Sequence, residues 1–373
     1  MSKLFIGLMS GTSLDGVDGV VVDFDPSIGP GGMRVVTHVH RPFDQAFASE
    51  LLALNTSSAD ELHRAALAGN SLARVYALAV GDLIKKAGIT ATQVRAIGAH
   101  GQTVRHRPGE FDSTGYTLQL NNPALLAELT GIDVIADFRS RDVVAGGQGA
   151  PLVPAFHRAV FARAGETVAV LNLGGIGNLT ALLVDGTTLG FDCGPANALM
   201  DHWCSIHRGE PFDRGGVWAA SGRVDTALLA RMQADPFFAK APPKSTGRDL
   251  FNPAWLQGML AGGAAVEATD VQATLAELTA WAAADAVQRH APEASCVLVC
   301  GGGALNEHVM RRLSALCRGA VVRPTDDEGL PCGEVEAAAF AWLAKAFVEH
   351  RPGNLVAVTG ARGPRILGAL YPA

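Results

Sequence analysis

The sequence predicts an α/β protein of two lobes, each rich in βαβ elements, with an active-site cleft between the lobes. The chain has 373 residues, more than one compact core usually contains. Segments with strand character alternate with amphipathic helical segments along its length. Each half opens on two strand segments joined by a glycine-rich turn, which indicates a duplicated architecture.

The first half is predicted to form a sheet flanked by helices. Short apolar or β-branched runs bounded by turn residues indicate its strands. Apolar residues on a helical period predict one long helix, and a polar loop is expected over residues 100–108. The predicted strands are residues 3–9, 17–24, 32–39, 94–99, 116–120 and 132–136, and the predicted helices are residues 59–86 and one from residue 123.

The composition shifts to Arg, Asp, Gly and Gln over residues 138–151, which we interpret as the connection between the lobes. We expect lobe one to comprise residues 1–138 and 350–373, and lobe two residues 139–349. In the second half, the predicted strands are residues 167–171, 179–184 and 296–299, and the predicted helices are residues 195–207, 224–233, 271–290, one from residue 306 and 334–349.

Bulk composition excludes several classes of partner. Apolar residues make up 48% of the chain, and 30 basic against 36 acidic residues give a net charge of −6. Because no dense run of Lys and Arg stands out, we expect neither nucleic acid nor a membrane surface as a partner. No apolar run reaches the roughly 18 residues of a membrane span. The six cysteines form no CxxC pair, which predicts free thiols and a cytoplasmic protein.

Three glycine-rich turns follow predicted strands, and they are the first indication of chemistry. They lie at residues 11–13, 174–178 and 301–303. Backbone N–H groups in such turns can form a concave anion site. Asp15 and Asp18 lie beside the first turn, where carboxylates could help to place a divalent ion on bound phosphates.

A dinucleotide-binding protein is the alternative interpretation of the third turn. Gly301-x-Gly303 after a strand resembles half of that fingerprint, and acidic residues 326–327 follow at a suitable distance. Asn306, however, occupies the position where the fingerprint has Gly or Ala. A Walker loop is excluded, since the sequence contains no Gly-Lys dipeptide.

Motifs along the whole chain identify a family. They are MSGTSLDGVD at residues 9–18, HGQTVRH at 100–106, DFRSRD at 137–142, GAPLVP at 149–154, NLGGIGN at 172–178, FDCGPAN at 191–197, PPKSTGR at 242–248, EA at 336–337 and VTGA at 358–361. Together they resemble the anhydro-N-acetylmuramic acid kinases, a family of the actin, sugar-kinase and heat-shock ATPase superfamily.

The resemblance implies the actin-like/sugar-kinase ATPase fold and an ATP- and Mg²⁺-dependent kinase. The implied reaction phosphorylates O6 of the amino sugar 1,6-anhydro-N-acetylmuramic acid while water opens the anhydro ring, in peptidoglycan recycling. It also implies a homodimer. Another sugar kinase, or a non-sugar ATPase of the same superfold, is the alternative.

The resemblance also implies site residues. Asp192 is the implied catalytic base, and Thr103, Arg139 and Glu336 are implied on the sugar side. Asp15 and Asp18 are the metal candidates. The implied ATP-binding residues are Gly11, Thr12, Ser13, Leu14, Asp15, Gly16, Val17, Asp18, Gly174, Gly175, Gly177, Asn178, Gly301, Gly302, Gly303 and Asn306.

Each implied role has a structural alternative. Asp192 could instead cap the helix predicted after it, since Asp is among the best N-cap residues. Arg139 could bind the lactyl carboxylate bidentately or form an ion pair with Asp137 or Asp142. Acidic residues such as Glu336 are favoured in a first helical turn in any case.

The sequence departs from the family pattern at two positions. Position 196 is Ala where the family usually has Gly, which would strain a backbone of positive φ. Position 333 is Gly where the family usually has an acidic residue, which puts one minor ligand contact in question.

Overall fold

The structure is a computed structural model and describes residues 3–11, 13–247 and 250–373. Its contacts divide the chain into two compact units, Met1–Val160 with Glu334–Ala373, and Phe161–Gly333. The predicted α/β class is confirmed. The contacts assign residues 139–160 and 334–349 to the first unit, whereas the sequence-based boundaries assign them to the second lobe.

The helices and strands follow one another in chain order. Residues 4–161 contain β1 (Leu4–Met9), β2 (Gly16–Phe24), β3 (Met33–Pro42), α1 (Gln45–Ala53), α2 (Glu61–Ala87), β4 (Val94–Ala99), β5 (Gln102–Pro108), β6 (Gly115–Leu120), α3 (Pro123–Thr130), β7 (Val134–Ala136), α4 (Ser140–Val144) and α5 (Val153–Phe161). The second unit contains β8 (Thr167–Leu173), β9 (Ile176–Leu182), β10 (Thr188–Pro195), α6 (Asn197–Arg208), α7 (Val217–Ser221), α8 (Thr226–Gln233), α9 (Pro236–Ala239), α10 (Pro253–Ala261), α11 (Ala268–His290), β11 (Ala294–Cys300), α12 (Glu307–Leu316) and β12 (Val321–Pro324). The C-terminal segment contains α13 (Val335–Val348), α14 (Val356–Thr359) and β13 (Ala369–Tyr371).

The sheet of the first unit has the order β13-β7-β4-β1-β2-β3. Its central strands β1, β4 and β7 run parallel to one another. Carboxyl ends of parallel strands meet at one edge of a sheet, where α/β proteins bind ligands. The segments that begin at Ser10, His100 and Asp137 are therefore brought to the same edge.

Helix α13 packs against the backbone of this sheet because two facing positions are glycine. Gly7 of β1 and Gly98 of β4 are paired, and a Cβ on either would collide with a backbone carbonyl oxygen of α13, that of Ala337 or Phe340. The helix presents mostly alanines to the sheet, so its axis comes close. This packing fixes the helix that carries Glu336 in its first turn.

The sheet of the second unit has the order β10-β9-β8-β11-β12. Strands β8, β11 and β12 are parallel, while β9 is antiparallel to both β8 and β10. Helix α11 is buried along most of its length in the hydrophobic core of this unit. The turns that follow β8 and β11 again lie at one edge.

Most predicted elements are confirmed, with one error of type and several omissions. Residues 102–108, predicted as a polar loop, form strand β5, which pairs with β6 in a separate two-stranded sheet. The elements not predicted from the sequence include the helices α1, α4, α5, α7, α9, α10 and α14 and the strand β13. No helix in the described ranges is both long enough and apolar enough to cross a membrane.

Candidate functional site

The first glycine turn connects β1 and β2 in the first unit. Leu14 adopts a φ of 58° and donates a backbone hydrogen bond to the Gly11 carbonyl at 3.3 Å. Ser13 Oγ donates to Asp15 Oδ1 at 2.7 Å. The turn is thus tightly folded, with polar side chains beside it. Thr12, predicted to bind ATP, lies outside the described residues.

The remaining predicted residues of this segment belong to strand β2. The side chain of Val17 is fully buried in the core, so only its backbone could contact a ligand. Asp18 Oδ1 accepts hydrogen bonds from His38 Nε2 at 2.9 Å and His40 Nδ1 at 3.1 Å, both on β3. One carboxylate oxygen of Asp18 is therefore already engaged.

A magnesium ion would fit this segment only with help from bound phosphates. In the part of the chain that the structure describes, no cluster of three or more His, Cys, Asp or Glu side chains could hold a metal. Mg²⁺ in kinases usually takes one or two carboxylates and completes its shell with phosphate oxygens and water. Among the described residues Asp15 accepts one hydrogen bond, from Ser13, whereas Asp18 accepts two, which makes Asp15 the better candidate.

Arg139, which follows β7, is held from two sides. Its Nη1 donates to the Gly149 carbonyl at 2.8 Å, and its Nη2 and Nε donate to His100 Nε2 at 2.9 and 3.2 Å. Burial lowers the pKa of Arg139 to about 10, and the nearby carboxylate of Glu336 opposes this shift. The guanidinium stays charged at neutral pH with a fixed plane.

Glu336 and Thr103 lie in the same unit as Arg139. Burial raises the pKa of Glu336, and the charge of Arg139 counteracts that rise. Thr103 Oγ1, on β5, accepts a hydrogen bond from Gln119 Nε2 at 3.2 Å. Burial, and then the charge of Arg139, lower the pKa of His106, also on β5, to about 4. Arg139 and Glu336 thus lie close enough for their charges to interact. The charge of Arg139 also affects His106, which lies on the same strand as Thr103.

Asp142 forms no salt bridge with Arg139 among the described residues, although its charge favours the protonated guanidinium. This carboxylate is fully buried and accepts hydrogen bonds from Gly149 N at 2.7 Å, Asn354 Nδ2 at 2.7 Å and Thr359 Oγ1 at 2.8 Å. Asp142 therefore ties the loop that carries Gly149 to the C-terminal segment. The motif at residues 358–361 serves this structural link.

The second and third glycine turns lie together in the second unit. A Cβ on Gly303 would meet Leu173, the residue before the second turn. Asn197 Nδ2 donates to the Leu173 carbonyl at 2.9 Å, and a Cβ on Gly302 would lie 3.4 Å from that amide nitrogen. Close backbone approach thus requires glycine in the third turn. Asn306 Oδ1 caps helix α12 by accepting from Val309 N at 3.1 Å.

The turn at Gly174 and Gly175 also fixes the start of helix α6. Their carbonyls accept from Asn197 N at 2.9 Å and from Ala196 N at 3.1 Å. Ala196 itself has a φ of −123°, so this position does not need the positive φ that favours glycine. The departure from the family's Gly at position 196 therefore places no alanine at a positive φ.

Asp192 stands in a row of polar residues across three strands. It pairs with Asn178 of β9, which pairs with Asn172 of β8. Residues directly opposite one another point to the same face of a sheet. Asp192, predicted as the base, and Asn178, predicted to bind ATP, are therefore neighbours.

The helix-cap alternative for Asp192 is wrong. Asp192 lies within β10, and the N-cap of α6 is Ala196. The Asp192 carboxylate accepts from the backbone N–H of Thr246, while its own N–H donates to the Lys244 carbonyl at 3.1 Å. Burial raises the pKa of Asp192 to about 6. A carboxylate with that pKa can accept a proton near neutral pH.

Two residues that contact the predicted site residues have no role assigned from the sequence. His100 binds Arg139, and the backbone of Thr246 binds Asp192. Both stand in motifs at residues 100–106 and 242–248. A signal for His100 was its position directly after a predicted strand, where α/β sheets place ligand-binding residues. No local signal predicts the contact of Thr246 with a strand more than 50 residues earlier.

The fold and these sites have the organisation expected of a two-lobed sugar kinase: α/β units with glycine turns and a partly buried carboxylate at the sheet edges. The family described as "Anhydro-N-acetylmuramic acid kinase" matches residues 3–373. The chain belongs to this family.

Individual relatives match over the full length. The anhydro-N-acetylmuramic acid kinase of Variovorax paradoxus (strain S110) is 62% identical, with 100% of this chain and 99% of that protein covered. The protein of the same name from Cupriavidus metallidurans is 57% identical, with coverage of 100% and 98%. Among solved structures, (R)-2-hydroxyglutaryl-CoA dehydratase component A from Acidaminococcus fermentans aligns over 92% of this chain and 100% of that chain, with 11% identity and a TM-score of 0.47. That likeness is too distant to bear on function.

Proposed function

We propose that this protein transfers the γ-phosphoryl group of ATP to O6 of 1,6-anhydro-N-acetylmuramic acid and opens the anhydro ring hydrolytically. The products are N-acetylmuramic acid 6-phosphate and ADP, and the role is in the recycling of peptidoglycan. Full-length relatives at 57% to 62% identity carry the name of this activity. Another sugar kinase or a non-sugar ATPase is not favoured by these relatives.

The observation that carries the chemistry is the Asp192 carboxylate, buried enough that its pKa rises to about 6. In the proposed reaction, water adds to C1 and the bond between C1 and O6 breaks. O6 takes the phosphoryl group, ADP leaves, and Asp192 accepts the proton of the water. General-base help of this kind is worth about 10²–10⁴ in rate.

The glycine turns are proposed to hold the nucleotide. The first comprises Gly11–Ser13 with the segment to Asp18, the second Gly174, Gly175, Gly177 and Asn178, and the third Gly301–Gly303 with Asn306. Phosphoryl transfer depends on positioning and charge neutralisation, to which backbone N–H groups contribute. A bound Mg²⁺ would neutralise phosphate charge, and Asp15, with Asp18, is proposed to help hold it.

Arg139, Glu336 and Thr103 are proposed to bind the sugar. Two observations support Arg139: its plane is fixed by three hydrogen bonds, and burial lowers its pKa only to about 10. A charged planar guanidinium matches the geometry of the lactyl carboxylate.

Mass spectrometry of the product tests the function. ATP, magnesium and the anhydro sugar should give a product heavier by one phosphoryl group and one water, and heavy-oxygen water should add one labelled oxygen. A product that gains only the phosphoryl group would contradict ring opening. ADP release unaffected by the sugar would indicate an ATPase, and complete chelation without loss of turnover would contradict the metal.

A cytoplasmic location and a homodimer are further proposals. All six cysteines are buried thiols rather than disulfides, as is usual where thiols stay reduced. The homodimer rests on the family resemblance. Sedimentation equilibrium tests it, and a monomer mass at micromolar concentration would contradict it.

A further inference from the structure

His100 lies between the first glycine turn and Arg139. It follows β4 directly and is 5% exposed. Its Nδ1 lies 3.3 Å from the Ser10 carbonyl oxygen, and its Nε2 lies 2.9 Å from Arg139 Nη2 and 3.2 Å from Arg139 Nε. The imidazole therefore connects the segment after β1 to the segment after β7.

The partners of this ring determine its tautomer. A carbonyl oxygen can only accept, and a guanidinium can only donate. Nδ1 must therefore carry the hydrogen, and Nε2 must accept from Arg139. Protonation of Nε2 would set an N–H against the N–H groups of Arg139. Burial, and then the charge of Arg139, lower the pKa of His100 to about 3, so the imidazole is neutral near pH 7.

A closed set of hydrogen bonds fixes the backbone beside His100. Gly101 N donates to Tyr76 Oη at 3.1 Å, and Ser10 Oγ donates to the Gly101 carbonyl at 3.2 Å. Tyr76 Oη lies 3.0 Å from Ser10 Oγ and donates to it, because the serine hydrogen is already used. The imidazole also packs against Phe340, with ring centroids 4.6 Å apart. The ring of His100 is thus held in place and orientation.

The bonds to His100 and Gly149 leave Arg139 ready for one more partner. A guanidinium has five N–H groups, and within the described residues these hydrogen bonds use three of them. One N–H remains on each terminal nitrogen, which is enough for a bidentate carboxylate. We propose that His100 is a positioning residue that fixes the plane of Arg139 for the carboxylate of the sugar. This inference rests on the proposed function.

Matched substitutions at position 100 test the proposal. In His100→Gln the amide oxygen reaches further than in His100→Asn, so only Gln can still accept from Arg139. We expect His100→Asn to raise the KM for the anhydro sugar about tenfold, as for loss of a hydrogen bond to a charged group, and His100→Gln to raise it less. The KM for ATP should change less than about twofold in both variants. His100→Leu replaces Asn if the Asn variant does not fold.

His157 provides the control, because it is a second buried histidine of the first unit. His157→Asn should lower the thermal midpoint and leave the KM for the sugar unchanged. If His100 has a purely structural role, the KM for the sugar should change only as the thermal midpoint changes, and His100→Gln and His100→Asn should have the same effect. That result would overturn the proposal.

Arg139→Lys separates failure of this inference from failure of the function. If Arg139→Lys raises the KM for the sugar while neither His100 variant does, the positioning role is overturned and the function stands. If the wild-type protein does not phosphorylate the sugar, the proposed function fails and the inference fails with it.

Discussion

The backbone N–H of Thr246 donates a hydrogen bond of 2.9 Å to Oδ2 of Asp192. This bond favours the ionised carboxylate, yet burial outweighs it and raises the pKa of Asp192 to about 6. The carboxylate is thereby oriented by one donor while remaining basic. Such a combination suits a general base better than a structural carboxylate.

We predict that Asp192→Asn lowers kcat by about 10²–10⁴, because the amide cannot accept the proton of the water. At pH 7 the thermal midpoint should not fall, since the amide oxygen can still accept from Thr246 N and the neutral amide avoids the cost of a buried charge. Steady-state kinetics and thermal denaturation of the same preparations measure both quantities.

Asp185→Asn is the matched control, because Asp185 is an exposed carboxylate of the same unit that accepts from Thr187 N at 2.8 Å. Its kcat should equal that of the wild type. An Asp192→Asn variant that retains kcat within about threefold, far less than the usual loss, would remove Asp192 from the mechanism.

The rate should also depend on pH through Asp192. Below about pH 6 the carboxyl group is protonated and cannot accept a proton, so log kcat should rise with slope one and level off above that pH. The profile of kcat from about pH 4 to about pH 8 measures this limb, because this range brackets the pKa by roughly two pH units on either side. A flat profile over this range, with chemistry rate-limiting, would contradict the assignment.

Burial of Asp192 also makes the free energy of unfolding depend on pH, in the direction opposite to that of the rate. A pKa raised from 3.8 to about 6 means that the native state binds more protons than the unfolded state between these values. The contribution of Asp192 to the free energy of unfolding therefore increases as the pH falls through 6 towards 3.8. Asp192→Asn should remove this contribution. Urea denaturation at about pH 4.5, between the two pKa values, and at about pH 7, above both, can detect its loss.

The positions of the site segments in the fold could be predicted, and many contacts could not. Glycine turns after strands identify the ligand-binding edge of each sheet, because parallel strands end together. The bond between His100 and Arg139 depends on a distance between residues 39 positions apart, which no periodicity encodes.

Asp192 illustrates a second limit. A residue before Gly-Pro and a predicted helix fits an N-cap, but β10 continues through Pro195 with a register shift between Asp192 and Gly194. The shift depends on pairing with β9, so the local sequence does not reveal it. Likewise, Asp142 was an expected partner of Arg139, and only the fold shows that its carboxylate accepts hydrogen bonds from Asn354 and Thr359 of the C-terminal segment.

We predict that Asp142→Ala destabilises the protein by about 3 kcal/mol or more, because three buried donors lose their acceptor. The KM for the sugar should also rise, since the loop that carries Gly149 helps to hold Arg139. Chemical denaturation and kinetics check the two effects. Asp185→Ala, at an exposed turn, should change neither the stability nor the KM. Equal stability of the two variants would show that the hydrogen bonds of the Asp142 carboxylate do not stabilise the fold.

The contact between helix α13 and the first sheet depends on glycine at position 98. In Gly98→Ala the new methyl group would collide with the Phe340 carbonyl oxygen, so the helix must shift or the sheet must distort. Overpacking of this kind costs about 1–3 kcal/mol. Because α13 carries Glu336 in its first turn, the KM for the sugar should rise together with the loss of stability.

Gly81→Ala is the control: Gly81 lies in helix α2 with no atom within 4 Å of its added Cβ, and Ala should stabilise that helix by about 0.5–1 kcal/mol. Urea denaturation should show lower stability for Gly98→Ala and higher stability for Gly81→Ala. The KM for the sugar should rise in Gly98→Ala alone. A Gly98→Ala protein as stable as the wild type would show that α13 does not depend on this close approach.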